Sequence, residues 1–270
     1  MTRRIDTLAD IADAYDAVVF DQWGVLHNGT EPYKGALHCV ETLAGDVAVL
    51  SNSGKRAAPN AVRIREMGFT RPFHTVMTSG EALWRDIRLG KIKERIFHAV
   101  ERAPNDAQTW ADGLDIAFSS LAEAEALLLM GLPDESALSE WNPLLQSALG
   151  RDLPVYCSNP DRHSPRAGGT VTSVGALAFA YKDLGGEVHF YGKPHRPIFD
   201  SLVDALGSSN LLMVGDSLEH DIAGAAGASW DSVFVGGGLY RDHFSGGDWR
   251  DALDALPASA APTYFIGELR

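Results

Sequence analysis

The feature that most constrains this chain is a short apolar run, then a turn of Asp, Ser or Gly, then a helical segment, met again and again. "AVVF" (17–20) delivers Asp21 onto a glycine turn, "VAVLS" (47–51) ends at Ser51 and Asn52, and "LLMVGD" (211–216) ends at Asp216. "EVHFYG" (187–192) and "DSVFVGGG" (231–238) repeat the pattern. Runs apolar on both faces suit strands covered on both sides, and helical connections such as "NAVRIREMG" and "RPIFDSLVDALG" make their neighbours parallel. The expected fold is therefore α/β, a doubly wound parallel Rossmann-like sheet. Such a sheet gathers its strand ends on one edge, where ligands bind.

The middle of the chain reads differently. "RIFHAV", "IAFSS", "ALLLMG" and "PVYCSN" predict further strands with helices between, and "DESALSEWNPLLQSALG" predicts an amphipathic helix pair. The sequence thus predicts a core of residues 1–80 and 183–270, with residues 81–182 inserted as a second α/β domain.

Composition narrows the function classes. With 23 Lys and Arg against 36 Asp and Glu, the formal charge is −13, which disfavours nucleic acid and anionic membrane as partners. Any phosphate-bearing ligand must be held locally, by a cation or a metal. No apolar run approaches the roughly 18 residues of a membrane span. "MTRRIDTLADIADAYD" turns acidic before an apolar signal core could form, so a cytoplasmic location is expected. Cys39 and Cys157 are the only cysteines, too few for a disulfide framework or a thiolate metal site.

Phosphate-ester hydrolysis through a covalent intermediate needs a carboxylate nucleophile at a strand end, a divalent cation, and donors for the phosphoryl oxygens. Asp21, Ser51 with Asn52, Lys193, and Asp216 with Asp221 all stand at the ends of expected strands.

Here the chain resembles the haloacid dehalogenase-like superfamily, and more closely its subfamily IIA, the NagD-like phosphatases. "VVFDQWGVLHNG", "VLSNSGK", "YGKP" and "MVGDSLEHDIAGAAGA" match its four motifs in order, and "CSNPDRHSP" resembles the subfamily's Asn-Pro-Asp cap element. The resemblance covers essentially the whole chain and implies a Mg²⁺-dependent phosphatase acting on a small phosphorylated metabolite, with the inserted domain as cap. It makes Asp21 the nucleophile and has Ser51 and Asn52 bind the phosphoryl group. Lys193 would pair with Asp21 and a phosphoryl oxygen. Mg²⁺ would be held by Asp21, Asp216 and the backbone carbonyl of Trp23. Asp221 would orient Lys193 or a metal-bound water, or cap the following helix; the two roles are compatible. In the cap loop, Asn159, Asp161, Arg162 and His163 are candidate specificity residues, and Gly175 either helps shape the crevice or packs. The resemblance also admits a homodimer.

One position departs from the family pattern. Trp23 stands where family phosphatases carry a second aspartate, which protonates the leaving group and then activates water, a task worth typically 10²–10⁴-fold. Indole offers one N–H and no acceptor. Either the leaving group needs no proton, or another group such as His27 or His195 supplies it, or the protein binds a phosphorylated ligand without turnover. Trp23 itself reads equally as a packing residue or as a platform for a substrate ring, and His195 is a further candidate substrate contact. "VGGGLYR" (235–241) lacks the spacing of a phosphate loop and reads as a turn.

Overall fold

The computed structural model describes residues 1–133, 136–166 and 169–270. The chain opens with β1 (Arg3–Arg4), β2 (Ala17–Phe20), α1 (Lys34–Thr42), β3 (Asp46–Ser51), α2 (Ala57–Glu66), β4 (Thr75–Thr78) and α3 (Ser79–Arg88). It continues through β5 (Ile96–Val100), α4 (Asp106–Trp110), β6 (Ala117–Phe118), β7 (Ala126–Leu129), α5 (Asn142–Leu149) and β8 (Val155–Cys157). Next come β9 (His163–Arg166), β10 (Gly169–Thr172), α6 (Val174–Asp183) and β11 (Val188–Phe190). The last third holds α7 (Arg196–Leu206), β12 (Leu211–Gly215), α8 (Ala223–Ala228), β13 (Asp231–Val235), α9 (Trp249–Asp254) and β14 (Tyr264–Ile266).

Two compact units result. One comprises Met1–Ser51, Ala57–Met77 and Lys193–Arg270; the other comprises Asn52–Arg56 and Thr78–Gly192. The chain leaves the first unit between Ser51 and Asn52 and finally re-enters it between Gly192 and Lys193.

The first unit is built on a seven-stranded sheet of order β1-β14-β13-β12-β2-β3-β4, with every pairing from β1 to β3 parallel. Its central strands are the apolar runs, and β2 and β12 are buried at every residue. Alternation sorts their side chains. Val18, Phe20, Val47, Val49, Leu212 and Val214 share one core face, while Phe234 and Phe265 pack on the other with Leu218, Ile222 and Leu253. β2 lies between β12 and β3, so connections depart from it to both sides. Open α/β sheets leave their crevice beside such a strand, at its carboxyl end.

The second unit has a five-stranded parallel sheet, β11-β8-β7-β5-β6, and an antiparallel β9–β10 hairpin. The expected helix pair is instead one 3₁₀ turn, Leu138–Trp141, running into α5. Pro143, which lacks an amide hydrogen, is tolerated only in a first helical turn and so sets the start of α5. Asp134 and Glu135, part of that expectation, lie outside the described residues. Cys39 and Cys157 are free and buried, and burial pushes each thiol up to about 12. No helix of the described residues is long and apolar enough to cross a membrane.

Candidate active site

Asp21 follows β2 and Asp216 follows β12, two adjacent strands in register at Phe20 and Val214. The Asp21 amide extends that ladder by donating to the Val214 carbonyl at 2.9 Å. Lys193 enters the same place from the end of the segment after β11. Its Nζ donates to Asp21 Oδ1 at 2.6 Å and to Asp221 Oδ1 at 2.7 Å. Asp221 sits in a turn of π-helix, Leu218–Ile222, and is fully buried. Its second oxygen accepts from the amides of Asp216 and Ser217 at 3.1 and 3.0 Å. Both carboxylate oxygens of Asp221 are thus committed, one to the ammonium and one to the backbone that carries Asp216.

Close approach of backbone makes this possible. A β-carbon at Gly215 would lie 2.2 Å from Asp221 Cβ, and one at Gly238 would lie 2.3 Å from Asp216 Oδ2. The Leu239 amide donates to Asp216 Oδ2 at 2.7 Å. This donor is not visible in the sequence, because a backbone amide leaves no trace in side-chain motifs. The neighbouring glycines were its only signal.

The charges do not balance. Asp21, Asp216 and Asp221 place carboxylate oxygens within 4.8 Å of one another, against the single ammonium of Lys193. Burial pushes the Asp21 carboxyl up to about 6, with Lys193 opposing. Burial, then the carboxylates of Asp21 and Asp221, raise Asp216 well above the usual range. Burial works against the Lys193 ammonium, yet its two carboxylate partners outweigh it and raise its pKa. Three carboxylates and one ammonium leave two formal negative charges out of water, a deficit that a divalent cation matches. The Trp23 carbonyl accepts no hydrogen bond among the described residues, which leaves it open as a further hard oxygen ligand. The donor set is all oxygen, the preference of Mg²⁺ or Ca²⁺.

The other expected site residues fall as follows. Ser51 closes β3 and is buried. Asn52 Nδ2 donates to Asp161 Oδ1 at 2.7 Å, and the Asp161 amide donates to Asn159 Oδ1 at 2.9 Å. The second unit therefore ties the residue after β3 to the Asn-Pro-Asp loop. A β-carbon at Gly175 would lie 2.3 Å from the Pro160 carbonyl oxygen, so that glycine packs directly beneath the loop. Arg162 lies over the Phe179 ring at 3.8 Å. His163 begins β9, and His195 is half-buried at the residue before α7.

Trp23 is 47% exposed, with its indole against Gly29, where a β-carbon would lie 2.8 Å from Nε1. His27 is buried, and burial, then Arg63, push its pKa down to about 4. Its Nδ1 accepts from the Gly29 amide at 3.1 Å, so the ring is neutral with its proton on Nε2. A neutral imidazole with so low a pKa is a poor proton donor near pH 7.

Comparison with known proteins agrees with this geometry. The sequence profile described as haloacid dehalogenase-like hydrolase matches residues 18–108, and that described as HAD-hydrolase-like matches residues 190–269. The chain belongs to the haloacid dehalogenase-like hydrolases, and its likenesses fall among that family's NagD-like phosphatases. D-glycerol 3-phosphate phosphatase of Mycobacterium tuberculosis is 24% identical over 97% of this chain and 72% of its own. Structures of a glycerol phosphate phosphatase from that organism, with calcium and with magnesium, are 22% identical with TM-score 0.77 and cover 96% of this chain. They cover 75% and 77% of the chains compared. A haloacid dehalogenase-like hydrolase from Brucella suis 1330 is 27% identical with TM-score 0.79, covering 98% of this chain and all of its own. NagD from E. coli is 19% identical with TM-score 0.71, covering 95% and 97%.

Proposed function

We propose that this phosphatase hydrolyses a small phosphorylated metabolite through an aspartyl-phosphate at Asp21, with Mg²⁺ as cofactor. The observation that carries the reading is Lys193 bridging Asp21 and Asp221 beside Asp216. Lys193 keeps Asp21 anionic and aims one of its oxygens, as attack on phosphorus requires. Asp221 fixes Lys193 and the backbone at Asp216, and so acts as a positioning residue. Ser51, at the end of the strand beside Asp21, is proposed to donate to a phosphoryl oxygen together with the Asn52 amide. Asp21, Asp216 and the Trp23 carbonyl would hold the cation. When bound, Mg²⁺ would offset the carboxylate charge and that of the phosphoryl oxygens. The inserted unit, with Asn159 and Asp161 in its loop, is proposed to select the substrate as a cap, and His195 to contact it.

The reading is tested by assaying Mg²⁺-dependent phosphate release from sugar phosphates, glycerol 3-phosphate, nucleotides and acyl phosphates. Turnover that Asp21→Asn abolishes is expected; no release above that variant would sink the catalytic reading.

Trp23 favours a second reading, in which the protein binds a phosphorylated ligand without efficient turnover. That reading expects a Mg²⁺-dependent thermal shift with the ligand and no product.

A further inference from the structure

We propose that the first unit carries a second anion site, separate from the carboxylate cluster, which takes a small phosphorylated molecule with an apolar or aromatic body. The site is a cavity of about 550 Å³ at the carboxyl ends of β1, β14 and β13. That volume suits a small-molecule ligand. Arg4, at the end of β1, and Arg241, in the turn after β13, line it, with Phe244, Trp249 and Phe265 as its apolar wall.

In a chain of net charge −13, three arginines lining one cavity, Arg4, Arg241 and Arg270, need a reason. Neither Arg4 nor Arg241 makes an ion pair among the described residues, and Arg241 is held only by its Nε donating to the Gly237 carbonyl at 3.1 Å and by its approach to the Tyr33 ring. Their remaining N–H groups form the fork geometry that suits phosphate oxygens. Trp249 stacks on Phe265 at 4.8 Å between ring centroids, and the Arg250 guanidinium lies over the Trp249 ring at 5.0 Å, so the apolar wall is flanked by a further cation. Glu268, which also lines the neighbouring cavity, and Asp248 are the carboxylates of the same lining and oppose an anion, against the three arginines.

The location couples the cavity to Asp216. A smaller cavity of about 200 Å³ shares Gly237, Arg241 and Glu268 with it and reaches Lys34 and Gly24, the glycine against Asp216. The loop that carries Gly237 and Arg241 also supplies the Leu239 amide to Asp216. A molecule that seats Arg241 differently therefore acts on the donor that orients Asp216. This coupling, unlike the binding itself, rests on the proposed role of Asp216 as a cation ligand.

Calorimetric titration of the full chain with inorganic pyrophosphate in EDTA tests the binding. Without divalent cation the carboxylate cluster repels anions, so binding there does not contribute. One saturable site is expected, weakened about tenfold by Arg4→Gln or Arg241→Gln and tightened by Glu268→Gln. The tightening arm cannot come from a misfolded variant. No saturable heat, or heat unmoved by all three substitutions, overturns the site. In a Mg²⁺ assay at saturating p-nitrophenyl phosphate, pyrophosphate is expected to change turnover in the wild type and less in Arg4→Gln/Arg241→Gln; equal responses overturn the coupling. Absence of any turnover would instead count against the phosphatase reading and leave the calorimetric result standing.

Discussion

Gly24 lies so close to Asp216 that a β-carbon at position 24 would sit 1.9 Å from Asp216 Oδ2, and Gly24 holds φ at +89°. The turn after β2 and the carboxylate after β12 are therefore fitted to one another. Two strands distant in sequence fix a single geometry, and the glycine is what lets the Trp23–Gly24 backbone reach the acidic cluster.

Gly24→Ala should displace the Asp216 carboxylate and lower kcat/KM by at least about 100-fold, with a stability loss of about 1–3 kcal/mol from the strained backbone. Gly185→Ala is the control. Gly185 has φ +95° but nothing within 4 Å, so it carries the backbone cost without a collision. Urea denaturation should show a loss in both variants, larger in Gly24→Ala by the cost of the collision, and steady-state kinetics should show an activity loss in Gly24→Ala alone. Equal activities would show that Asp216 tolerates displacement.

Lys193→Met leaves the partly buried Asp21 carboxylate and the buried Asp216 and Asp221 carboxylates without their ammonium. Breaking a buried pair of this kind costs about 3–5 kcal/mol. A divalent cation then becomes the only source of compensating charge, so the Mg²⁺-induced rise in Tm should be larger in Lys193→Met than in the wild type. Wild type itself should gain about 2.7 kcal/mol at a Mg²⁺ concentration 100-fold above its Kd. Differential scanning calorimetry with and without EDTA measures both. An absent shift in both proteins would remove the carboxylate cluster as a cation site.

Asp221→Asn tests whether one buried side chain organises the cluster. Its Oδ1 meets the Lys193 ammonium and its Oδ2 meets two amides, so every neighbour is a donor. An asparagine must turn its own NH₂ toward one of those sides. We expect a loss of about 2–4 kcal/mol in urea denaturation, and a drop in kcat exceeding any change in KM. A stability loss below about 1 kcal/mol would show that the contacts carry little weight.

The parts of this molecule that were legible in the sequence are those where the physics is local. A fully apolar run such as β2 or β12 announces a central parallel strand, and the Asp or Ser at its end announces the edge where ligands gather. Asp21 and Asp216 were therefore readable as strand-end groups. The run 187–192 before Lys193, expected as another strand of the same sheet, instead pairs as β11 with β8 in the second unit, so Lys193 reaches the cluster where the chain returns to the first unit. The edge pair β1–β14 was not readable, because Arg3 and Arg4 have no apolar signal and pair with Tyr264 and Phe265 at the other end of the chain. Arg241 was hidden for the same reason. Its segment reads as a turn, and its neighbour Arg4 in the cavity wall is set by that distant pairing. The burial of His27 also depends on the fold: the "HNG" turn looks solvated in sequence, but the Leu26–Tyr33 loop folds back on itself through the Tyr33 amide and Leu26 carbonyl.

Trp23→Asp separates the two readings of the site by leaving-group chemistry. Trp23 is half-exposed and its indole rests on Gly29, so its removal should cost at most about 1 kcal/mol. An aspartate there would offer the proton-transfer group that indole lacks. Glycerol 3-phosphate has a poor alkoxide leaving group and needs that proton; p-nitrophenyl phosphate leaves as a stabilised phenolate and scarcely does. If missing acid–base catalysis limits turnover, kcat on glycerol 3-phosphate should rise about 10²-fold while kcat on p-nitrophenyl phosphate changes by less than about threefold. A fall on both substrates, with KM raised, would instead identify the Trp23 indole as a surface on which the substrate rests. The ratio of the two effects decides the matter, because a folding defect lowers both substrates alike whereas a gained proton donor changes only the one whose leaving group is basic.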